Sequence, residues 1–243
     1  MAERREPKRD SKREFRREPR ETREEAQAKV EEAEEFIDQV AELPKEKNPV
    51  KIFDLYDTSE IVVEDPGLKR VINLEPKTIV RTRGRIRGKF SAVKVNIVER
   101  LIRSLCHPGH RGKKHKIMTR ATGKMTKNTN VVLDAFKIIE DKTKENPVKV
   151  FIKAIEKSSP KEEITTIEYG GAKYPQAVDV SPLRRVDLTL RLMIHGAYDK
   201  AFNKKTKIAQ ALANEIMLAA EEKPESFTIT KKNEAEKQAN SAR

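Results

Sequence analysis

Residues 163–197, EITTIEYGGAKYPQAVDVSPLRRVDLTLRLMIHGA, narrow the possible folds more than any other stretch. Two runs rich in β-branched and aromatic residues, 164–169 and 174–180, flank the dipeptide Gly170-Gly171, which is a strong hairpin signal. A helix follows at once. Ser181 offers a hydroxyl to cap free amides, and Pro182 presets the backbone for a first turn. Leu183, Val186, Leu190, Met193, Ile194 and Ala197 recur at helical spacing on one face. Arg184 and Arg185 stand in the first turn, where the helix dipole disfavours cations. An anionic partner for them is the natural expectation. The neighbouring chain reads as helical, so the hairpin has little sheet to join. A two-stranded ribbon is marginal alone in water, and one that projects from a helical body needs support from what it binds.

The charge balance says which kind of partner to look for. The 243 residues carry 52 Lys/Arg against 39 Asp/Glu, a net of +13, with a pI near 9.7. Such an excess favours a polyanion. Residues 1–48 hold thirteen basic and fifteen acidic side chains, so the excess belongs to the body of the chain and not to this extension. A single cysteine excludes an internal disulfide framework and points to a reducing compartment. No apolar run approaches a membrane span of about 18 residues, and the N-terminus is too charged for a signal peptide. A soluble, intracellular, membrane-free chain is expected.

Two regions are expected, 1–48 and 49–243. Residues 1–20 are of low complexity and mixed sign, a composition that predicts disorder. From Thr22, which has capping-box spacing with Glu25, a narrow seam of Ala26, Val30, Ala33, Ile37 and Val40 predicts a marginal amphipathic helix. Residues 50–80 contain strand-like runs at 50–55, 61–63 and 77–80, separated by Asp65-Pro66-Gly67 and Pro76. They predict an irregular lead-in with a strand or two.

Residues 81–127 hold fifteen Lys/Arg and one carboxylate, Glu99. A solvated face alone would not require charge of one sign, and phosphate binding is the better reading. Within this block Ile97, Val98, Leu101, Ile102 and Leu105 mark a helix. Three more follow: one with Val132, Ala135, Phe136 and Ile139 inward; one opened by Asn146-Pro147 with Val148, Phe151, Ile152 and Ile155 inward; and one with Ile208, Leu212, Ile216 and Ala219 inward, capped by Thr206. The C-terminal KKNEAEKQANSAR is polar and helix-prone, with little to bury.

Candidate chemistry is soon exhausted. In Arg83-Gly84-Arg85-Ile86-Arg87-Gly88-Lys89-Phe90, three residues separate the glycines and Phe90 follows the lysine. A phosphate loop needs four residues there and a hydroxyl after the lysine. Cys106, His107, His110 and His115 lack the paired thiolates of a structural zinc site, and nothing orients Cys106 for nucleophilic catalysis. His195 reads as a core or boundary residue. No catalytic group, metal or cofactor is expected. A ribbon with Tyr169, Lys173 and Tyr174 at its tip, in contrast, has what it needs to stack on bases and meet phosphates.

These residues form a familiar combination. QAVDVSPLRRVD (176–187), placed after a GG hairpin, resembles the small ribosomal subunit protein S-seven family in its archaeal and eukaryotic form. NIVERLIRSLCHPGHRGKKHK (96–116) is similar to the family's first helix and basic loop, and ENPVKVFIKAIEKSSPKEE (145–163) to its third helix running into the ribbon. The C-terminal KKNEAEKQANSAR is similar to the end of that branch. The resemblance covers residues 50–243.

It implies a mainly α fold of about six helices with one protruding β-ribbon at about 164–180. It also implies primary binding of the 3′ major domain of small-subunit rRNA, nucleation of the subunit head, and a cytoplasmic, ribosome-bound place beside the tRNA exit site and mRNA exit channel. Neighbouring small-subunit proteins would be its other partners, with no self-oligomer.

The expected rRNA contacts are Arg81, Arg83, Arg85, Arg87, Lys89, Arg103, Arg111, Lys113, Lys114, Lys116, Arg120, Lys124, Lys127, Arg184, Arg185, Lys204, Lys205 and Lys207. Tyr169, Gly170, Gly171, Lys173 and Tyr174 would lie near tRNA and mRNA. Two features depart from the family pattern: the ribbon tip has only Lys173 as a cation, and residues 1–48 have no counterpart in the shared body. The competing reading is a free-standing RNA chaperone or nucleic-acid-binding protein that uses the same basic surface.

Overall fold

The computed structural model describes residues 50–78, 88, 90–108 and 122–243. The expectations for residues 1–48, including the helix from Thr22, lie outside the described residues.

The described lead-in, residues 50–78, is held by turns and not by strands, and the run expected at 77–80 lies partly outside the described residues. Phe53 and Asp54 both take positive φ (55° and 63°), and Ile52 and Tyr56 exchange backbone hydrogen bonds of 2.9 and 3.0 Å across them. This tight turn drives Ile52 and Tyr56 into the core, where the Tyr56 ring meets Phe136 edge-on at 6.0 Å. The strand expected at 50–55 is therefore a turn, and residues 61–63 form no strand either. Among the described residues, the lead-in contributes only the isolated bridges Ile52↔Tyr56 and Asn73↔Asn96. β-branched content was present, but no neighbouring strand runs alongside to complete a ladder.

Asp65-Pro66-Gly67, expected to be a separator, instead starts a one-turn helix, α1 (Pro66–Lys69). The Asp65 carboxylate accepts from the Gly67 amide at 2.8 Å, and Pro66 occupies the position where a missing N–H is harmless.

Among the described residues, six long helices build the body. They are α2 (Ile97–Cys106), α3 (Met125–Thr143), α4 (Pro147–Ser158), α5 (Pro182–Ala201), α6 (Ile208–Ala220) and α7 (Phe227–Ser241). Asn96 and Asn146 cap α2 and α4, accepting from Val98 N at 2.9 Å and Val148 N at 3.0 Å. The residues with helical spacing in α2, α3, α4 and α5 are the buried ones, Leu183 alone being only partly so. α6 is mostly buried, with Gln210 exposed, and Ala209, Ala211, Ala213, Ala219 and Ala220 let α3, α4 and α5 approach it closely. It is the central helix of the bundle.

Two caps differ from expectation. Ser181 sits at the N-cap of α5 but contributes only its carbonyl, which accepts from Arg185 N at 2.9 Å. α6 starts at Ile208 after Lys207, so Thr206 lies outside the cap.

The ribbon pairs β1 (Glu162–Tyr169) with β2 (Ala172–Asp179), antiparallel, from Glu162↔Asp179 up to Tyr169↔Ala172. Gly170 and Gly171 take φ of 57° and 82°, the left-handed pair that a two-residue hairpin turn demands. Hydrogen-bonded and non-bonded pairs alternate away from that turn, so Pro175, opposite Thr166, falls where no N–H is required. α7 braces the base of the ribbon. Glu236 accepts from Lys161 N at 3.1 Å, Lys232 reaches the Lys157 carbonyl at 2.7 Å, and Arg243 pairs with Glu162. The C-terminal tail is thus a helix with work to do, and Thr228, Ile229 and Ala239 are buried on it.

Candidate nucleic-acid interface

α5 positions most of what can be described. Its buried stripe of Val186, Leu190, Met193 and Ala197 leaves Arg184, Asp187, Leu188, Arg191 and His195 along the opposite side, at spacings of three and four. Two grooves run along this side and share Asp187 and Arg191. The first, about 310 Å³, is closed by Arg103, Ser104, His107 and Pro108 at the end of α2. His195 Nε2 lies 3.0 Å from the Pro108 carbonyl and ties that wall to α5. The second, about 540 Å³, lies between the start of α5, the end of α1 and the 3-10 turn Ser91–Lys94, with Phe90 and Arg70 on its edge.

The acidic groups near this surface are already engaged. Asp187 accepts from Arg100 Nη2 at 2.8 Å, and the same buried guanidinium donates to the Val71 carbonyl at 3.2 Å. Glu99, buried in α2, pairs with Arg103 at 2.8 Å. Arg70 and Arg191, both exposed, are therefore the cations of this surface with no carboxylate partner among the described residues.

The paired arginines at the start of α5 have different surroundings. Arg184 is exposed and forks onto Glu163 at the ribbon base, Nε to Oε1 at 2.6 Å and Nη2 to Oε2 at 2.9 Å. Arg185 is 8% exposed and turned inward. Its Nη2 donates to Asp65 Oδ2 at 2.7 Å and to Ser159 Oγ at 2.9 Å. An arginine held on two internal acceptors is not presented to a phosphate, so Arg185 joins α5 to the cap of α1 and the end of α4. Burial pushes the Asp65 carboxyl up, but the bonds from Arg185 and Gly67 N outweigh it and leave it below the usual carboxylate range. Within the chain, Glu163 and Asp65 are the carboxylate partners of Arg184 and Arg185.

Lys124 and Lys127 are exposed at the start of α3, and Lys204, Lys205 and Lys207 are exposed between α5 and α6. Arg81, Arg83, Arg85, Arg87, Lys89, Arg111, Lys113, Lys114, Lys116 and Arg120 lie outside the described residues. At the ribbon tip, Tyr169, Tyr174 and Ile167 are 82%, 58% and 45% exposed and share one face by register. Lys173 is on the other face, opposite Glu168.

The family model for ribosomal protein S7p/S5e matches residues 68–243, a span that takes in α2 to α7 and the ribbon. The chain belongs to that family. A small ribosomal subunit protein uS7 of Nanoarchaeum equitans is 47% identical over 196 residues, 80% of this chain and 99% of the relative. One of Methanothermobacter thermautotrophicus is 46% identical over 194 residues, 79% of this chain and 98% of its own length. The resemblance of 96–116, 145–163 and 176–187 is to the family that the chain belongs to. Among the described residues, reading the sequence did not place Arg70 or Arg191 on the candidate interface, and weighed Phe90 and His107 only for other chemistry. Arg191 had a usable signal, since it stands two helical turns from Arg184 on the same side. Arg70 had none, because a one-turn helix carries no periodicity.

Proposed function

We propose that this ribosomal protein is a primary binder of small-subunit rRNA that helps nucleate the subunit head, in the cytoplasm, beside the tRNA exit site and the mRNA exit channel. The observation that carries this reading is the line of Arg184, Arg191 and Arg103 with Arg70 along the α5 grooves, of which Arg70 and Arg191 have no carboxylate partner among the described residues. The run 81–127 adds its cations in sequence, and Lys124, Lys127, Lys204, Lys205 and Lys207 add exposed ones. Phosphates neutralised by these groups release counterions, while specificity comes from RNA shape and unpaired bases, since side chains cannot read the deep A-form major groove.

The ribbon has a separate task. Tyr169 and Tyr174 on one face, Lys173 on the other, and the turn at Gly170-Gly171 reach toward tRNA and mRNA. Neighbouring proteins of the head complete the partners, and no catalytic step is required of any residue. Filter binding to a head-domain rRNA fragment and to an unrelated structured RNA of equal length, across a salt series, tests the reading. Markedly tighter, steeply salt-dependent binding to the head-domain fragment is expected. Equal affinity for both RNAs would indicate a general RNA chaperone, and a flat salt response would remove the electrostatic docking.

A further inference from the structure

Phe90 is an exposed aromatic in a backbone conformation that aromatics avoid. It takes φ 62°, ψ 10° at the head of the 3-10 turn Ser91–Lys94, and its side chain is 67% exposed. A bulky residue in the left-handed region costs free energy, and such strain persists where the surroundings or the function require it. Here it holds an aromatic ring on the larger α5 groove, whose lining includes the apolar side chains of Val71, Val93, Leu183 and Leu188. Arg70 and Arg191 line the same groove with no carboxylate partner among the described residues, and Asp187 is neutralised by Arg100. The site therefore pairs an apolar slot with two available cations, one of them nearer the end of α1 and the other on α5.

We propose that this groove receives one unstacked RNA base, stacked on Phe90, with its flanking phosphates on Arg70 and Arg191. Charge complementarity selects the occupant. A hydrophobic peptide would leave both guanidiniums without a partner, whereas a nucleotide supplies a flat apolar face and an anion on either side. The inference rests on the rRNA-binding reading and deepens it: most contacts read phosphate, and this one holds a base. It also gives the basic run 81–89 a fixed end, because that run leads directly into Phe90 in the chain.

The chain has no tryptophan, so Phe90→Trp in the full-length protein installs a unique fluorophore. Addition of the head-domain rRNA fragment is expected to quench it saturably. Heparin, a polyanion without bases, is expected to displace the RNA without quenching. Phe90→Ala is expected to weaken binding about 5- to 150-fold, the range found when one stacked base loses its aromatic partner, with the slope of log affinity against log salt unchanged. Phe90→Tyr is expected to restore affinity, and Phe90→Leu is not.

Wild-type affinity in Phe90→Ala, equal rescue by Phe90→Leu, or quenching by heparin as strong as by RNA would each overturn the base slot and leave the rRNA reading standing. A parallel fall in the salt slope would also overturn it, because Phe90 would then act by placing phosphate contacts. Failure of the wild-type protein to prefer the fragment would overturn both.

Discussion

Arg185 donates to Asp65 and Ser159 inside the protein, whereas Arg184, one position earlier, lies on the surface with its guanidinium forked onto Glu163. A helix turns 100° per residue, so adjacent side chains cannot share an environment. Arg185→Ala removes the guanidinium donor of Asp65 and Ser159, leaving Asp65 the amide bond from Gly67. It should lower stability by about 2–3 kcal/mol, below the usual cost of splitting a fully buried pair because Asp65 keeps some access to water. Arg184→Ala removes an exposed pair worth at most about 1 kcal/mol and should show its effect in rRNA affinity. Urea unfolding alongside filter binding separates the two.

Acid gives a second check. The Asp65 carboxyl lies below its ordinary value in the folded chain, so its contribution is fully present above the unfolded value of about 4 and lost as pH falls through the folded one. Asp65→Asn should flatten that part of the acid-unfolding curve, measured by circular dichroism below pH 4.

α7 and the ribbon show how an element gains a role from what it touches. Glu215 on α6 is fully buried. Its Oε1 accepts from Ser226 Oγ at 2.8 Å and from Thr228 N and Oγ1, each at 3.1 Å, and its Oε2 accepts from Lys200 at 2.7 Å. This carboxylate fastens the start of α7. Gly196 on α5 makes room for it, since a β-carbon there would lie 2.8 Å from Phe227 Cβ and 2.9 Å from Glu215 Cδ. Gly196→Ala should therefore cost about 1–3 kcal/mol through overpacking, read as a lowered urea midpoint. α7 amides should exchange hydrogen before those of α6.

At the other end of the ribbon, Gly170 and Gly171 meet nothing that an added β-carbon would strike, and only their positive φ resists substitution. Replacing both with Ala should distort the tip and impair tRNA contact while leaving rRNA affinity within about twofold, a change too small to reflect even one lost stacked base. Loss of rRNA binding from that change would mean that the ribbon, and not the α5 side, is the anchor.

The net charge of +13 acts through the molecule as a whole. With roughly 6–10 phosphates neutralised, affinity in the salt series should fall about 10³–10⁵-fold between 50 and 200 mM. Pairing decides which charges face outward: Asp187 is engaged with Arg100, Glu99 with Arg103, Asp65 with Arg185 and Glu163 with Arg184, while Arg70 and Arg191 have no carboxylate partner among the described residues. A charge total cannot reveal such pairings, because each joins residues that the chain brings together only on folding, or by the turn of a helix.

The elements whose causes are local were legible in the sequence. Periodicity placed the buried faces of α2 to α6, the Asn146-Pro147 pair started α4, and Gly170-Gly171 required the hairpin turn, because spacing and left-handed φ are properties of neighbours along the chain. Long-range packing decided the remainder. It made a turn of residues 50–55 where no strand lay alongside, put Arg185 on Asp65 across 120 positions, and built α7 from a polar tail. The hairpin itself shows both parts. Its turn and register follow from its own residues, and its support comes from α7, a partner that only the folded chain supplies.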